Sequence, residues 1–377
     1  MATATERKSK GHGDATALTT AQKQSLRRRL LAWYTKHARD LPWRKSRDPY
    51  RVWVSEIMLQ QTQVATVRDY FTRFTKTFPN VHKLAAADET DVLRLWEGLG
   101  YYRRARQLHA AAQQVVAEHA GKFPDDPVAL QSLPGIGRYT AGAIASIAFD
   151  QRAAILEANT IRLLSRLIAY RGNPHSTAGQ HILWRVAEEI LPHKDVARFN
   201  QALMELGSLV CTPADPKCNE CPLASVCAAK AAGLQHQIPA PKQKQAFTAL
   251  REAAIVVRKN GSVLMRQCGP DERWAGLWDF PRFGLEASGP LFAKKEIATK
   301  VAAQTGITCE PGALLKTIKH GVTRYRITLE CYEATFVAGR AQANQSAAVK
   351  WSALSHLADL PLSTTGRYIA NLLGRVQ

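Results

Sequence analysis

No run of about 18 apolar residues occurs in this chain, and Met1–Lys10 holds no apolar segment, so neither a membrane span nor a secretory signal is expected. Acidic residues are scarce beside basic ones, 31 Asp and Glu against 51 Lys and Arg, for a formal net charge of +20. Cysteines number 7, an odd count that argues against a fully paired disulfide framework and for a reducing, cytoplasmic setting. What is present suffices for folded cores: 46% of the 377 residues are hydrophobic, and the length implies two domains. Residues 241–377 carry 19 basic and 10 acidic side chains, hence +9, and the preceding 240 carry the remaining +11. Both halves can therefore face a polyanion, and nucleic acid is the expected partner class.

Residues 1–20, with Arg7, Lys8, Lys10, Gly11 and Gly13, read as a disordered basic leader. From 21 to 232 the apolar spacing is helical, and helices are expected at Val54–Phe71, Arg103–His119, Arg138–Ala148, Ile161–Tyr170, Gln180–Leu191 and Phe199–Val210. Residues 233–250, rich in glutamine and proline, read as a linker. Strand-like runs follow at Ala253–Val257, Val263–Arg266, Tyr325–Phe336 and Val349–Trp351, with a turn at Asn260-Gly261 and helices near Leu291–Gln304 and Thr364–Leu373. An α-helical region followed by an α+β domain over 251–377 is the expected fold class.

Cys211, Cys218, Cys221 and Cys227 are spaced C-x6-C-x2-C-x5-C. Four thiols so close read as a metal site, and Pro213, Pro216 and Pro222 stiffen the loop between them. Spacing alone leaves zinc and an iron–sulfur cluster equally open. With no catalytic base nearby, the site reads as structural, with Lys217 and Lys230 as candidate phosphate contacts.

Leu133-Pro134-Gly135-Ile136-Gly137-Arg138 sits just before an expected helix. Two glycines one residue apart permit positive φ and a close backbone approach. The N–H groups at the next helix start favour an anion, and Leu133 and Ile136 are placed to pack between two helices. This is the pattern of a helix–hairpin–helix module, which grips the DNA backbone without reading bases.

The hairpin, the cysteine spacing and the stretch Trp53-Val54-Ser55-Glu56-Ile57-Met58-Leu59-Gln60-Gln61-Thr62 together resemble the A/G-mismatch adenine DNA glycosylases, the MutY family of the endonuclease III superfamily. The likeness is specific over roughly residues 25–230 and looser over 250–375. It implies a helix–hairpin–helix glycosylase domain with one 4Fe–4S cluster at the four cysteines, followed by a NUDIX-like domain. It also implies a monomer that removes adenine opposite 8-oxoguanine or guanine in double-stranded DNA.

Breaking a purine–deoxyribose bond needs a proton on the leaving base and negative charge beside a cationic sugar, roles that two carboxylates can share. The resemblance assigns the acid to Glu56, expected to open the Val54–Phe71 helix, where a raised pKa would keep it protonated. The family's L-D-G-N segment supplies the second carboxylate; this chain reads Leu156-Glu157-Ala158-Asn159, one methylene longer. Two readings stay open there: an active enzyme, or a non-catalytic damage-binding relative. Tyr139 occupies the position where strand-cutting relatives carry a Schiff-base lysine, which implies a monofunctional glycosylase and disfavours an endonuclease III-type lyase. The match also nominates Gln61 and Tyr101 as wedges in the duplex, and Arg39, Trp43 and Arg44 as lining the adenine pocket.

In the second domain, Trp274-Ala275-Gly276-Leu277-Trp278-Asp279-Phe280-Pro281 carries the clearest likeness. Lys294-Lys295-Glu296-Ile297-Ala298-Thr299-Lys300 offers one acid among three lysines, a poor cation site, so pyrophosphate hydrolysis is not expected. Where the family's lesion-reading loop has F-S-H, this chain has Ile318-Lys319-His320, which nominates Lys319 and His320 as contacts to the opposite base.

Overall fold

The computed structural model describes residues 17–240, 246–286, 290–342 and 348–374. Its helices in chain order begin with α1 (Thr20–His37), α2 (Pro49–Leu59), α3 (Val64–Thr77), α4 (Val81–Ala85), α5 (Glu89–Trp96) and α6 (Arg103–His119). There follow α7 (Pro127–Gln131), α8 (Arg138–Phe149), α9 (Ala158–Leu167), α10 (Thr177–Ile190), α11 (Val196–Leu209) and α12 (Ala228–Ala231). The C-terminal part holds β1 (Thr248–Lys259), β2 (Ser262–Gln267), β3 (Trp278–Asp279), β4 (Arg282–Gly284), α13 (Pro290–Thr305), β5 (Ile307–Val322), β6 (Tyr325–Gly339), β7 (Val349–Ala353) and α14 (Thr364–Gly374). No helix among the described residues is long and apolar enough to cross a membrane.

The chain forms two compact units. The first takes the described residues through Ala85 and those from Ala110 to 240; the second takes Ala86–His109 with the described residues from 246 onward. The segment Ala86–His109, inside the stretch expected as one helical domain, thus groups with the C-terminal strands.

Start signals written in the sequence set the helix boundaries of the first unit. Thr19 and Gln22 form a capping box that opens α1, and Leu18 just before it is buried, so these residues are not part of a loose leader; residues 1–16 lie outside the described residues. Asp48 accepts from the Tyr50 N–H and Pro49 takes the first position of α2. One apolar core then joins Leu26, Leu30 and Tyr34 of α1, Leu163, Leu164 and Leu167 of α9, Leu183 of α10, and Phe199, Leu203 and Leu206 of α11. Each such leucine contributes about 2 kcal/mol by leaving water.

In the second unit a mixed sheet runs β3-β2-β1-β6-β5, with β4 paired to β1 and β7 to β2. β1 and β6 are parallel, whereas β5 and β6 are antiparallel. The period of two along β1 sends Ala254 and Val256 to one face, with Ile369 and Leu373 of α14, and Ala253, Ile255 and Val257 to the other, with Ala293, Ile297 and Val301 of α13. A sheet covered by a helix on each face is the α+β arrangement expected from the sequence.

Candidate active site

The helix expected over Val54–Phe71 is two helices. α2 stops at Leu59, Gln61 takes a left-handed conformation (φ 56°), and α3 starts only at Val64. Because Asp48 and Pro49 begin α2, Glu56 lies well inside it rather than at a helix start, and its side chain is 5% exposed. It faces a cleft with an empty volume of about 1260 Å³ whose lining includes Arg39, Trp43, Arg44, Gln61, Tyr139, Glu157 and Asn159. Residues nominated from four separate stretches of sequence therefore meet in one place.

Burial raises the Glu56 carboxyl from 4.5 to about 7; a hydrogen bond from Tyr139 opposes the shift, the nearby Glu157 adds to it, and Arg44 reduces it. Tyr139, in the first turn of α8, donates its hydroxyl proton to Glu56 Oε2 and lies 3.4 Å from the Met204 sulfur. Burial, and then the charges of Glu56 and Glu157, hold the Tyr139 phenol well above its ordinary range, so it stays a donor at any working pH.

Glu157 caps α9. Its two carboxylate oxygens accept from the backbone N–H of Asn159 (2.8 Å) and Thr160 (2.9 Å), and Thr160 Oγ1 accepts from the Glu157 N–H at 2.7 Å. The cap lets the helix start at Ala158, three residues before the start expected from apolar spacing. Burial raises this carboxyl too, while the two backbone donors pull it down. Behind it, Asn159 Oδ1 accepts from Arg162, whose Nε donates to the Cys211 carbonyl at 2.7 Å.

Arg39 and Arg44 line the cleft, but both are committed to Glu205 of α11, which is fully buried. Arg39 Nε and Nη2 reach its two oxygens at 2.8 Å each, and Arg44 Nη2 joins at 2.8 Å. Burial pushes Glu205 up, yet these hydrogen bonds and charges outweigh it and bring the carboxyl down to about 2. Sequence reading passed over Glu205, Met204 and Ser208, which also line the cleft. The available signal was a lone acid on the apolar face that Phe199, Ala202, Leu203 and Leu206 define. Trp43 is buried with its ring edge-on to Phe71 at 5.6 Å, so it is core and cleft wall at once.

In the hairpin, Leu133 and Ile136 are buried as expected. Gly135 does need positive φ (77°), but Gly137 does not: at φ −88° and ψ 178° it is an extended N-cap with no side-chain cap bond. The first-turn N–H groups of α8 are thereby left to an anion. Arg138 is engaged by α10, 2.6 Å from Glu188 Oε1 and 3.8 Å above the Trp184 ring. Anion attraction at this end thus comes from backbone N–H groups more than from that guanidinium.

Cys211, Cys218, Cys221 and Cys227 line one small pocket, walled by Leu163, Leu167 and Leu223. All four are free of disulfides. Among the described residues no three His, Cys, Asp or Glu side chains converge on a single-ion site. Burial raises Cys221 to about 12 and moves Cys218 and Cys227 upward as well. Arg166 Nη1 lies 3.3 Å from the Cys211 sulfur. Lys230 Nζ turns inward to the Cys218 carbonyl at 3.3 Å rather than outward to a phosphate, whereas Lys217 is exposed.

In the C-terminal unit, Ile318-Lys319-His320 lies not in a loop but on β5, with His320 opposite Ile327 of β6. Lys319 is exposed; His320 is half-buried, 3.1 Å from Arg282 Nη2, and burial followed by that positive charge lowers its pKa. Glu296 of α13 pairs with Lys300 at 2.6 Å, leaving the acid engaged by a cation of its own helix.

Comparison with known proteins agrees with this geometry. Residues 54–189 match the HhH-GPD superfamily of base excision DNA repair proteins, and residues 252–372 match the NUDIX domain. The chain is 43% identical to an adenine DNA glycosylase of Rattus norvegicus over 303 residues, 77% of this chain and 57% of that protein. It thus spans little more than half the length of that relative. It is 38% identical to an adenine DNA glycosylase of Buchnera aphidicola subsp. Schizaphis graminum (strain Sg), over 71% of this chain and 77% of the relative. A thermostable thymine-DNA glycosylase of known structure superposes with a TM-score of 0.52 at 27% identity, covering 56% of this chain and 98% of its own. With its cleft carboxylates, hairpin and four cysteines in one unit and a NUDIX domain in the other, the chain belongs to the adenine DNA glycosylase family.

Proposed function

We propose that this protein is a monofunctional DNA glycosylase that hydrolyses the N-glycosidic bond of adenine paired with 8-oxoguanine or guanine. The observation that carries the reading is a buried Glu56, raised to about 7, sharing one cleft with a second carboxylate, Glu157. Two such groups in environments that differ can take opposite protonation roles. Glu56, with Tyr139 as its hydrogen-bond donor, is the acid: it gives its proton to a ring nitrogen of the extruded purine as the bonding pair leaves with the base. Glu157, with backbone N–H groups on both oxygens, stays the anion and stabilises the cationic sugar. Water then adds at the sugar carbon and loses its proton to a cleft carboxylate. Neither Tyr139 nor any other residue named in the cleft is a lysine, in keeping with hydrolysis rather than Schiff-base strand cutting.

Extruding the base costs about a few kcal/mol of lost stacking. Gln61, which lines the cleft, and separately the half-exposed Tyr101 are the candidates to fill the gap. Cys211, Cys218, Cys221 and Cys227 would hold a 4Fe–4S cluster; four thiols free of disulfides and lining one pocket are the donor set such a group takes. Held by these four cysteines, such a group would tie together the loop that runs from the end of α11 to the start of α12, away from the bond cleavage. Lys319 and His320 are the candidate contacts to the base opposite adenine.

A labelled duplex with adenine opposite 8-oxoguanine separates the possibilities. Breakage only after alkali supports the proposal, direct breakage indicates a lyase, and binding without breakage indicates a non-catalytic relative.

A further inference from the structure

Tyr101 is 51% exposed and left-handed (φ 49°), on a turn where Gly98 (φ 95°) and Gly100 (φ 70°) are also at positive φ. A bulky residue keeps such a conformation only where its surroundings over-determine it. From within the turn, Trp96 Nε1 donates to the Gly100 carbonyl at 3.2 Å, and Arg104 Nη2 donates to the carbonyls of Leu99 (3.2 Å) and Gly100 (3.1 Å). The Arg104 guanidinium also lies 5.4 Å from the Trp96 ring and 5.6 Å from the Tyr101 ring.

The outer supports come from residues more than 150 positions further along the chain. Glu97, which ends α5, takes a two-pronged grip from Arg367 of α14, Nε to Oε1 at 2.7 Å and Nη2 to Oε2 at 2.9 Å. The Leu362 N–H adds a third donor at 3.2 Å. Arg367 is itself fixed by the carbonyls of Leu357 and Leu360 at 2.7 Å each. On the other side of the turn, Arg106 of α6 donates to the Ala275 carbonyl. Gly276 (φ 84°) lies so close to α5 that a Cβ there would stand 3.4 Å from Leu93 and 3.5 Å from Glu89. Both ends of the Tyr101 turn are thus fastened to the C-terminal half of the chain.

We propose that the C-terminal unit positions Tyr101, with Glu97 and Arg367 as positioning residues for base extrusion. The inference rests on the glycosylase reading above, in which Tyr101 enters the duplex. Contact with the opposite base is then one task of this unit, and holding the wedge is another. The two-pronged Arg–carboxylate bond, largely out of water, gives geometric definition that a solvated pair would not.

The test uses the full chain with Glu97→Ala, Glu97→Gln, Tyr101→Ala and the Glu97→Ala/Tyr101→Ala pair. Adenine release is followed under single turnover, and 2-aminopurine beside the target adenine reports unstacking. Glu97→Ala is expected to slow release about tenfold and to diminish the unstacking signal, because a small misplacement of a positioning group is amplified in rate. Glu97→Gln, which keeps an acceptor for Leu362, should fall between it and wild type. The doubly substituted chain should be no slower than Tyr101→Ala alone. Losses that multiply in the double variant, or an unimpaired Glu97→Ala, overturn the positioning role. If Glu97→Ala melts the unit, Arg367→Lys, which keeps the charge without the two-pronged grip, is read against the same outcomes. A wild-type chain that releases no adenine overturns the glycosylase reading instead, so the two failures are distinguishable.

Discussion

The Tyr139 hydroxyl donates a hydrogen bond to Oε2 of Glu56, 83 residues away in sequence. This contact joins α8, the helix that follows the hairpin, to α2, the helix that carries Glu56. It also opposes burial in setting the Glu56 pKa, since a donor to the carboxylate favours its charged form.

Removing the donor should therefore move the acid's titration upward. Tyr139→Phe is expected to extend adenine release to higher pH than in wild type while lowering its maximum rate, because the carboxyl is less well oriented. A pH–rate profile under single turnover checks this. A descending limb that stays put or moves to lower pH would contradict the account.

Glu56 also links stability to pH. Its folded pKa, about 7, exceeds its ordinary 4.5, so the folded chain binds the extra proton between those values. Stability is full below about 4.5 and declines as pH rises through about 7, by up to about 3 kcal/mol. Glu56→Gln removes that decline, so its gain over wild type in urea unfolding should be larger near pH 8 than near pH 5. An equal difference at both pH values would show that Glu56 does not titrate in this window.

Glu157 caps α9 and, in the proposed function, is also the second carboxylate of the chemistry. Aspartate is among the best caps, so Glu157→Asp should keep α9 intact and release adenine as fast as wild type or faster. Glu157→Ala loses both functions, with a cap penalty of about 1 kcal/mol and a large fall in rate. Melting temperature and single-turnover rate, measured together, separate the two effects. An active Glu157→Ala chain would remove this residue from the chemistry.

The four cysteines make a compositional prediction. Chain purified without oxygen should carry iron and acid-labile sulfide in equal amounts, and Cys221→Ser should lower both and reduce thermal stability. One zinc per chain with no sulfide would assign the site to a different metal.

Much of this was legible before any coordinates. The cysteine spacing, the hairpin glycines and the apolar run of β1 are local signals, and local signals survive folding. Glu56 was legible as a residue but misplaced within its helix: Asp48 and Pro49 form an N-terminal signal that the apolar periodicity over Val54–Phe71 overrode, and the left-handed Gln61 carries no glycine to betray the break. β5 was missed because its exposed positions outnumber its buried ones, which hides the alternation. The engagement of Arg39 and Arg44 by Glu205, and the fastening of the Tyr101 turn by Arg367, join residues more than 160 positions apart, and no window of sequence contains both partners.

The most direct measurement of the central claim is single-turnover adenine release by wild type and Glu56→Gln from a duplex with adenine opposite 8-oxoguanine, across pH. Wild type should release adenine and lose rate as pH rises above about 7, whereas Glu56→Gln should bind the same duplex and release none. Release by Glu56→Gln at the wild-type rate would contradict the account.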